Sequence, residues 1–326
     1  RAVQKIEANS LELIDLSLIE EVTTDLKLDG TEIRADRLTT VNHVVIRSEQ
    51  PICLNELEAI HGEYDNENLL KSTSISLPNL RVVTGEVRFI ALEVSLPILE
   101  SCDALQITHL TTFQAPQLTS AKELFLWFKQ LNTEDDDDTS DAREMPSVDL
   151  TNLQECTNLI LYNAHGCIFK SLTQCNSLSL TSSSSLMLEE LTNLDSLNAS
   201  TCQKISLPHL TDVRTNFRLE NISDFAAPKL ERIDGEMTIL TGFTSYESFR
   251  QALPKLISIG TNAPVTYDAD DLPGGYEYKK DVMTVSSSAK VFVANAEMKQ
   301  ALEEEIRQEN LFFGGEIVIV DNPNVG

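Results

Sequence analysis

A phrase of nineteen residues recurs along this chain, and it limits the fold more than any other feature. Leu96-Pro97-Ile98-Leu99-Glu100-Ser101-Cys102-Asp103-Ala104-Leu105-Gln106-Ile107-Thr108 opens one copy, and the next opens at Ala115-Pro116-Gln117-Leu118, nineteen residues on. Copies start at Leu16, Ala35, Leu54, Leu77, Leu96, Ala115, Leu150, Phe169, Leu188, Leu207, Ala227 and Leu253. Three residues after each start stands Leu or Ile, from Ile19 to Leu256. Three further on stands another apolar residue, from Val22 to Ile259. The chain is only 41% apolar, so chance does not explain this agreement. An amphipathic helix does not explain it either. Pro78, Pro97, Pro116, Pro208, Pro228 and Pro254 share one slot and would break a helix in half of the twelve turns.

Each copy continues with an apolar-x-apolar segment, such as Leu105-Gln106-Ile107, Leu124-Phe125-Leu126, Leu159-Ile160-Leu161 and Leu178-Ser179-Leu180. That pattern predicts a strand with both apolar residues facing one side. In four turns the pair is displaced by one residue: Leu26/Leu28, Val87/Phe89, Phe217/Leu219 and Met237/Ile239. A single-residue bulge or a longer corner would absorb the shift. A last apolar residue, as in Ile75, Val94, Phe113, Leu186 and Ile205, precedes the next start. The prediction is a parallel β-solenoid of about twelve turns. Such an array also suits 326 residues, because each turn packs only on its neighbours.

Leu153-x-x-Cys156-x-x-Leu159-x-Leu161 and Leu172-x-x-Cys175-x-x-Leu178-x-Leu180 resemble leucine-rich repeats. The short period and the Leu-Pro-x-Leu corner resemble that family's compact bacterial type. Phrases such as Ser76-Leu77-Pro78-Asn79-Leu80 also resemble the repeats of receptor L-domains and their fungal cell-wall relatives. The resemblance covers roughly residues 11 to 260 and implies a leucine-rich-repeat-like array; it does not specify a function. The family usually places Asn or Cys three residues after the second strand leucine. Here that slot holds Leu110, Lys129, Ala164, Ser183 and Cys202, of which only Cys202 fits. A horseshoe and a right-handed β-helix therefore both remain open.

Along the chain, residues 1–15 read as an N-terminal cap or degenerate first turn, and 16–260 as the repeat solenoid. The third turn gains four residues around Gly62-Glu63-Tyr64-Asp65. The sixth gains sixteen, an acidic insertion near 131–146 that contains Asp135-Asp136-Asp137-Asp138. It lacks the Asp-x-Asp-x-Asp-Gly spacing of a calcium loop, so it reads as a solvated loop and no metal site is expected. The polar run Thr181 to Ser185 reads as a corner, and Tyr246 to Ala252 as a helical turn. The register is lost after about residue 261. There a loop at 268–275, a strand at 290–293, a helix at 296–308 and a final strand at 316–320 read as a C-terminal strand-helix-strand cap, 261–326.

The net charge of −26 disfavours nucleic acid and anionic membrane surfaces, and suits a basic partner. No apolar run is long enough to span a membrane. Cys102, Cys156 and Cys175 occupy the inward slot that elsewhere holds Val, Ile, Ala or Leu, and so read as small core residues. Thiols in a core point toward a reducing compartment, and a removed secretion signal stays open. A Cys156–Cys175 bridge is conceivable from equivalent slots on consecutive turns. No C-x-x-C pair, histidine cluster, phosphate loop or nucleophile motif stands out, so neither cofactor nor catalytic residues are expected.

The outward strand positions are the richer signal. Most turns present small polar groups there, but two neighbouring turns present Phe125 and Trp127, then Ile160 and Tyr162. Arg88 and Ile90 lie two turns away on the same face. Exposed aromatic clusters of this kind dominate binding energy at interfaces. The expected function is non-enzymatic recognition of a protein or peptide through the strand face. The alternatives are a cell-surface carbohydrate-binding or adhesion module and, behind it, a solenoid carbohydrate-active enzyme.

Overall fold

The computed structural model describes residues 1–62, 68–129, 147–240, 251–256, 258–259, 283–285, 290–293, 296–307, 311–313 and 316–319. The chain divides into two compact units, Arg1–Cys175 with Ser179–Glu189, and Asn176–Leu178 with Glu190–Gly326. Each is a parallel β-solenoid, and together they carry about 11 turns. The acidic insertion, the loop expected at 268–275 and most of the helical turn expected from Tyr246 lie outside the described residues.

In the first unit, Ala2–Asp15, Glu21–Arg34, Thr40–Ser48, Asn68–Lys71, Val82–Ile90, Ser101–Leu110, Ser120–Phe128 and Glu155–Tyr162 pair in parallel, each with the next. A second, shorter sheet collects one brief strand per turn: Ile52–Cys53, Ser74–Ser76, Glu93–Ser95, Thr112–Gln114 and Ser147–Asp149. The core lies inside the coil as columns of like side chains. Val87, Leu105, Leu124 and Leu159 are in register and fully buried, and so are Phe89, Ile107, Leu126 and Leu161. Leu99, Leu118, Leu153 and Leu172 form the column at the turn and are equally buried. Each buried leucine contributes about 1.5–3 kcal/mol, and parallel coiling repeats that contribution at every turn.

The corner at the recurring proline closes with a backbone hydrogen bond, as from Leu99 N–H to Leu96 O at 3.2 Å and from Leu118 N–H to Ala115 O at 3.1 Å. Proline fits the second position of such a turn, where φ is already near its fixed value and no N–H is needed. The other corner uses a different device. His109, Asn163, Ser182, Thr201 and Asn221 all have φ between 52° and 67°. Each lies two residues after the last inward residue of its strand. One left-handed residue redirects the chain, so that Leu110, Ala164, Ser183, Cys202 and Ile222 turn into the core. The slot where leucine-rich repeats usually place Asn or Cys is thus, in these turns, an inward position served by backbone geometry. Ser183, the polar exception, donates its hydroxyl to Thr181 O at 3.2 Å and accepts from Ala164 N–H at 3.3 Å. In the sixth turn Phe128 fills the position opposite Leu110.

The displaced strands have a physical cause. Opposite Asp103 the neighbouring strand skips from Val83 to Glu86, leaving Thr84 and Gly85 as a bulge. Opposite Asp195 in the second unit, Arg214 and Thr215 do the same, and opposite Asn42 so do Thr23 and Thr24. In these three cases an Asp or Asn on an adjacent strand faces the bulge. Asp103 accepts the freed Gly85 N–H at 3.0 Å, and Arg214 reaches Asp195 at 3.0 Å. The fourth displacement, Met237/Ile239, follows a break at Asp234-Gly235 between Arg232–Ile233 and Glu236–Leu240.

In the second unit Asn193–Ser200, Asp212–Glu220 and Glu236–Leu240 continue the same plan. Beyond residue 261, where the sequence register fails, pairing persists. Glu236–Leu240 is followed by Lys290–Val293 and then Glu316–Ile319; Ser258–Ile259 is followed by Met283–Val285 and then Leu311–Phe313. The helix Ala296–Arg307 buries Leu302. None of the six cysteines is joined in a disulfide; five are buried and Cys53 is exposed.

Candidate strand-face site

Because the strands pair in register, their outward residues form rows that run across the sheet. One row passes from Arg88 through Gln106 and Phe125 to Ile160. The adjacent row passes from Ile90 through Thr108 and Trp127 to Tyr162. All six residues singled out in the sequence thus lie in two neighbouring rows of the first unit, on strands spaced about 4.8 Å apart. The Phe125 and Tyr162 ring centroids are 5.5 Å apart, and those of Trp127 and Tyr162 are 6.1 Å apart, both pairs tilted near 40°. Tyr162 therefore touches both other rings, a geometry that favours edge-to-face attraction.

Trp127 is 49% exposed, whereas Phe125, Ile160, Tyr162 and Ile90 are half-buried. Their backbone is held from beneath by Leu124, Leu126, Leu159 and Leu161, none with measurable exposure. The aromatics stand on the opposite face of the sheet from that core, because side chains alternate along a strand. Arg88 lies between the rows' polar and aromatic halves. Its Nε and terminal nitrogen both donate to Gln106 Oε1 at 3.3 Å, which aims the guanidinium along the row. Other exposed apolar residues, Leu13, Leu18, Leu92 and Ile168, stand outside these rows.

The rows extend in the opposite direction from the aromatics. Leu69 pairs with Arg88, and Lys71 with Ile90; Val45 pairs with Leu69, and Arg47 with Lys71. Arg47 and Lys71 are exposed and line a cleft of about 410 Å³ with Glu12, Asp29, Thr31, Ser48 and Glu49. Sequence reasoning missed both cations. The four-residue insertion in the third turn breaks the count there, and only the register shows that Lys71 and Arg88 belong to adjacent strands.

The chemistry on offer is contact and charge. One row over, His43 Nδ1 lies 2.7 Å from Asp25 Oδ1, and this bond holds the Asp25 carboxyl below its usual range. Among the described residues no group of three His, Cys, Asp or Glu side chains is placed to hold a metal ion. No helix among them is long and apolar enough to cross a membrane. Burial holds two of the inward thiols protonated: it pushes Cys102 up to about 12 and raises Cys156 as well. Compared with known protein families, curated proteins and solved structures, the chain matches none.

Proposed function

We propose that the first unit recognises a protein or peptide partner through its long strand face, with Trp127, Tyr162, Phe125 and Ile160 as the anchor and Ile90 and Arg88 beside it. The supporting observation is the tilted aromatic trio on a rigid sheet, its Trp half-exposed and its neighbours half-buried. Aromatic side chains fixed on a packed scaffold lose little further conformational freedom on binding, so contact area converts efficiently to affinity. Kinship with leucine-rich repeats belongs to this proposal. It is supported by the leucine columns and the period, while the left-handed corner is a different construction from the family's usual Asn slot.

Selection of a random-peptide library on the protein, with each selected peptide then titrated against the double variant Trp127→Ala/Tyr162→Ala, tests the reading. The expected result is enriched peptides whose affinity falls by more than about 2 kcal/mol in the double variant. Peptides that bind both forms equally would remove the patch from consideration. A glycan array read in parallel, positive for the protein and negative for the double variant, would replace the peptide reading with carbohydrate stacking.

A further inference from the structure

We infer that the strand-face site is polar along its length and takes an extended acidic peptide, its carboxylates on Arg47, Lys71 and Arg88 and its aromatic or branched side chain on Trp127 and Tyr162. The inference rests on the peptide-binding reading and specifies the ligand's chemistry and direction.

Charge along the two rows carries it. From the Thr40–Ser48 strand to the Glu155–Tyr162 strand, the outward positions of these rows hold three cations and no Asp or Glu. That is unexpected in a chain with 51 acidic residues against 25 basic ones. Arg47 and Lys71 are directly opposed on adjacent strands, where like charges repel, while Asp29 faces Arg47 from the strand on its other side. Neither makes an ion pair among the described residues, although Asp29 and Glu49 line the same cleft. Elsewhere cations find acids readily: Lys122 reaches Asp103 at 2.7 Å and Arg232 reaches Asp212 at 2.6 Å. An anion laid between Arg47, Lys71 and Arg88 would relieve the repulsion and find two unpaired donors.

Direction and length follow from the register. The cations and the aromatics occupy opposite ends of the same rows, joined by Ile90, Thr108 and Gln106. Lys71 and Trp127 are three strands apart, about 14 Å, which is the reach of about four extended residues. Of the three acids of the cleft, Asp29 and Glu12 lie on strands beyond Arg47, away from the aromatics, and Glu49 just past the end of the Arg47 strand; they would repel an acidic chain that overran the site. The overall acidity points to a basic partner; the local charge of this face points to an acidic one. Local charge decides contact, because solvent-exposed charges farther than about 10 Å are largely screened.

The test uses the full chain and a fluorescein-labelled peptide carrying two glutamates and, four residues on, a tryptophan. Three comparisons accompany it: the same peptide with lysines for glutamates, the same peptide with alanine for tryptophan, and a sulfated oligosaccharide. The glutamate–tryptophan peptide is expected to bind at least about tenfold more tightly than either altered peptide, and to weaken as salt rises. In Arg47→Glu/Lys71→Glu the preference should invert toward the lysine peptide, a rescue that misfolding cannot produce. Equal binding of the glutamate and lysine peptides overturns the inference, as does binding of the oligosaccharide alone, or no binding of the acidic peptide at millimolar concentration. Library-selected peptides that are lost in Trp127→Ala/Tyr162→Ala but indifferent to Arg47→Glu/Lys71→Glu would overturn the charge polarity and leave the aromatic site standing.

Discussion

Two pairs of strands, one in each unit, share a backbone plan and present opposite surfaces. Ser120–Phe128 and Glu155–Tyr162 put Phe125, Trp127, Ile160 and Tyr162 outward; Asn193–Ser200 and Asp212–Glu220 put Asn198, Ser200, Arg218 and Glu220 there. Inward, the pairs match: Leu124, Leu126, Leu159 and Leu161 in one, Leu197, Ala199, Phe217 and Leu219 in the other, all fully buried. The polar pair is also satisfied within itself, since Arg218 donates to Glu220 at 2.9 Å on the same strand. The aromatic pair brings its rings together at a tilt and still leaves Trp127 half in solvent. The coil dictates what points in and is indifferent to what points out. An outward residue that departs from small and polar therefore reports on something other than folding.

The sharpest way to break that comparison is to attack the inward columns of both regions. Leu159→Ala and Leu197→Ala each remove a buried side chain from an equivalent position, and each should destabilise its protein by about 2–5 kcal/mol in denaturant unfolding. A cost confined to one of them would show that the two units do not share one packing plan. The outward aromatics should behave differently. Trp127→Ala is expected to change stability by less than about 1 kcal/mol while abolishing most peptide binding. If it unfolded the protein, the aromatic trio would be packing and not a site.

The bulges sharpen the comparison at the backbone. Gly85 has φ +77°, and an added Cβ would meet Gly62 O at 2.3 Å; at Gly235 it would meet Thr215 O at 1.6 Å. Gly166 has φ +65°, but nothing lies within 4 Å of its added Cβ. Alanine at Gly166 should therefore cost only the left-handed penalty, about 1–2 kcal/mol, and alanine at Gly85 or Gly235 clearly more, because neighbouring backbone must move. Thermal unfolding of the three variants gives the order directly. Equal losses would mean that close approach of the coils matters less than φ.

How much of this could be read from the chain alone follows from the same division. The inward columns were legible because burial constrains Leu99, Leu118, Leu153 and Leu172 to one kind of side chain at one spacing. The displaced pairs at Val87/Phe89 and Phe217/Leu219 were legible as an extra residue, and the bulges supply it. The left-handed corner was not legible. His109, Asn163, Ser182 and Thr201 share a backbone angle and no side-chain chemistry, and Thr, a β-branched residue, is a poor advertisement for positive φ. The aromatic half of the candidate site could be seen because Trp127 and Tyr162 are rare residues on a clean register. Its cationic half, Arg47 and Lys71, was hidden by the insertion that separates the strands.

The smallest effect tests whether the bulge in the first unit is held by charge as well as by shape. Asp103 accepts from Lys122 Nζ at 2.7 Å and from the Gly85 N–H at 3.0 Å, and these two bonds keep its carboxyl below the usual range. A carboxylate whose pKa is lower folded than unfolded adds stability that is fully present above its unfolded pKa, about 4, and is lost as pH falls through the folded value. Asp103→Asn should thus be less stable than the native chain near neutral pH. The gap between the two should narrow as pH drops below about 4, because the native carboxyl is then protonated as well. Subtracting the two unfolding curves removes the many other carboxylates, which titrate alike in both proteins. A gap that stays constant from neutral pH into acid would mean that Asp103 holds the bulge by hydrogen-bond geometry alone, and that charge has no part in the backbone plan the two units share.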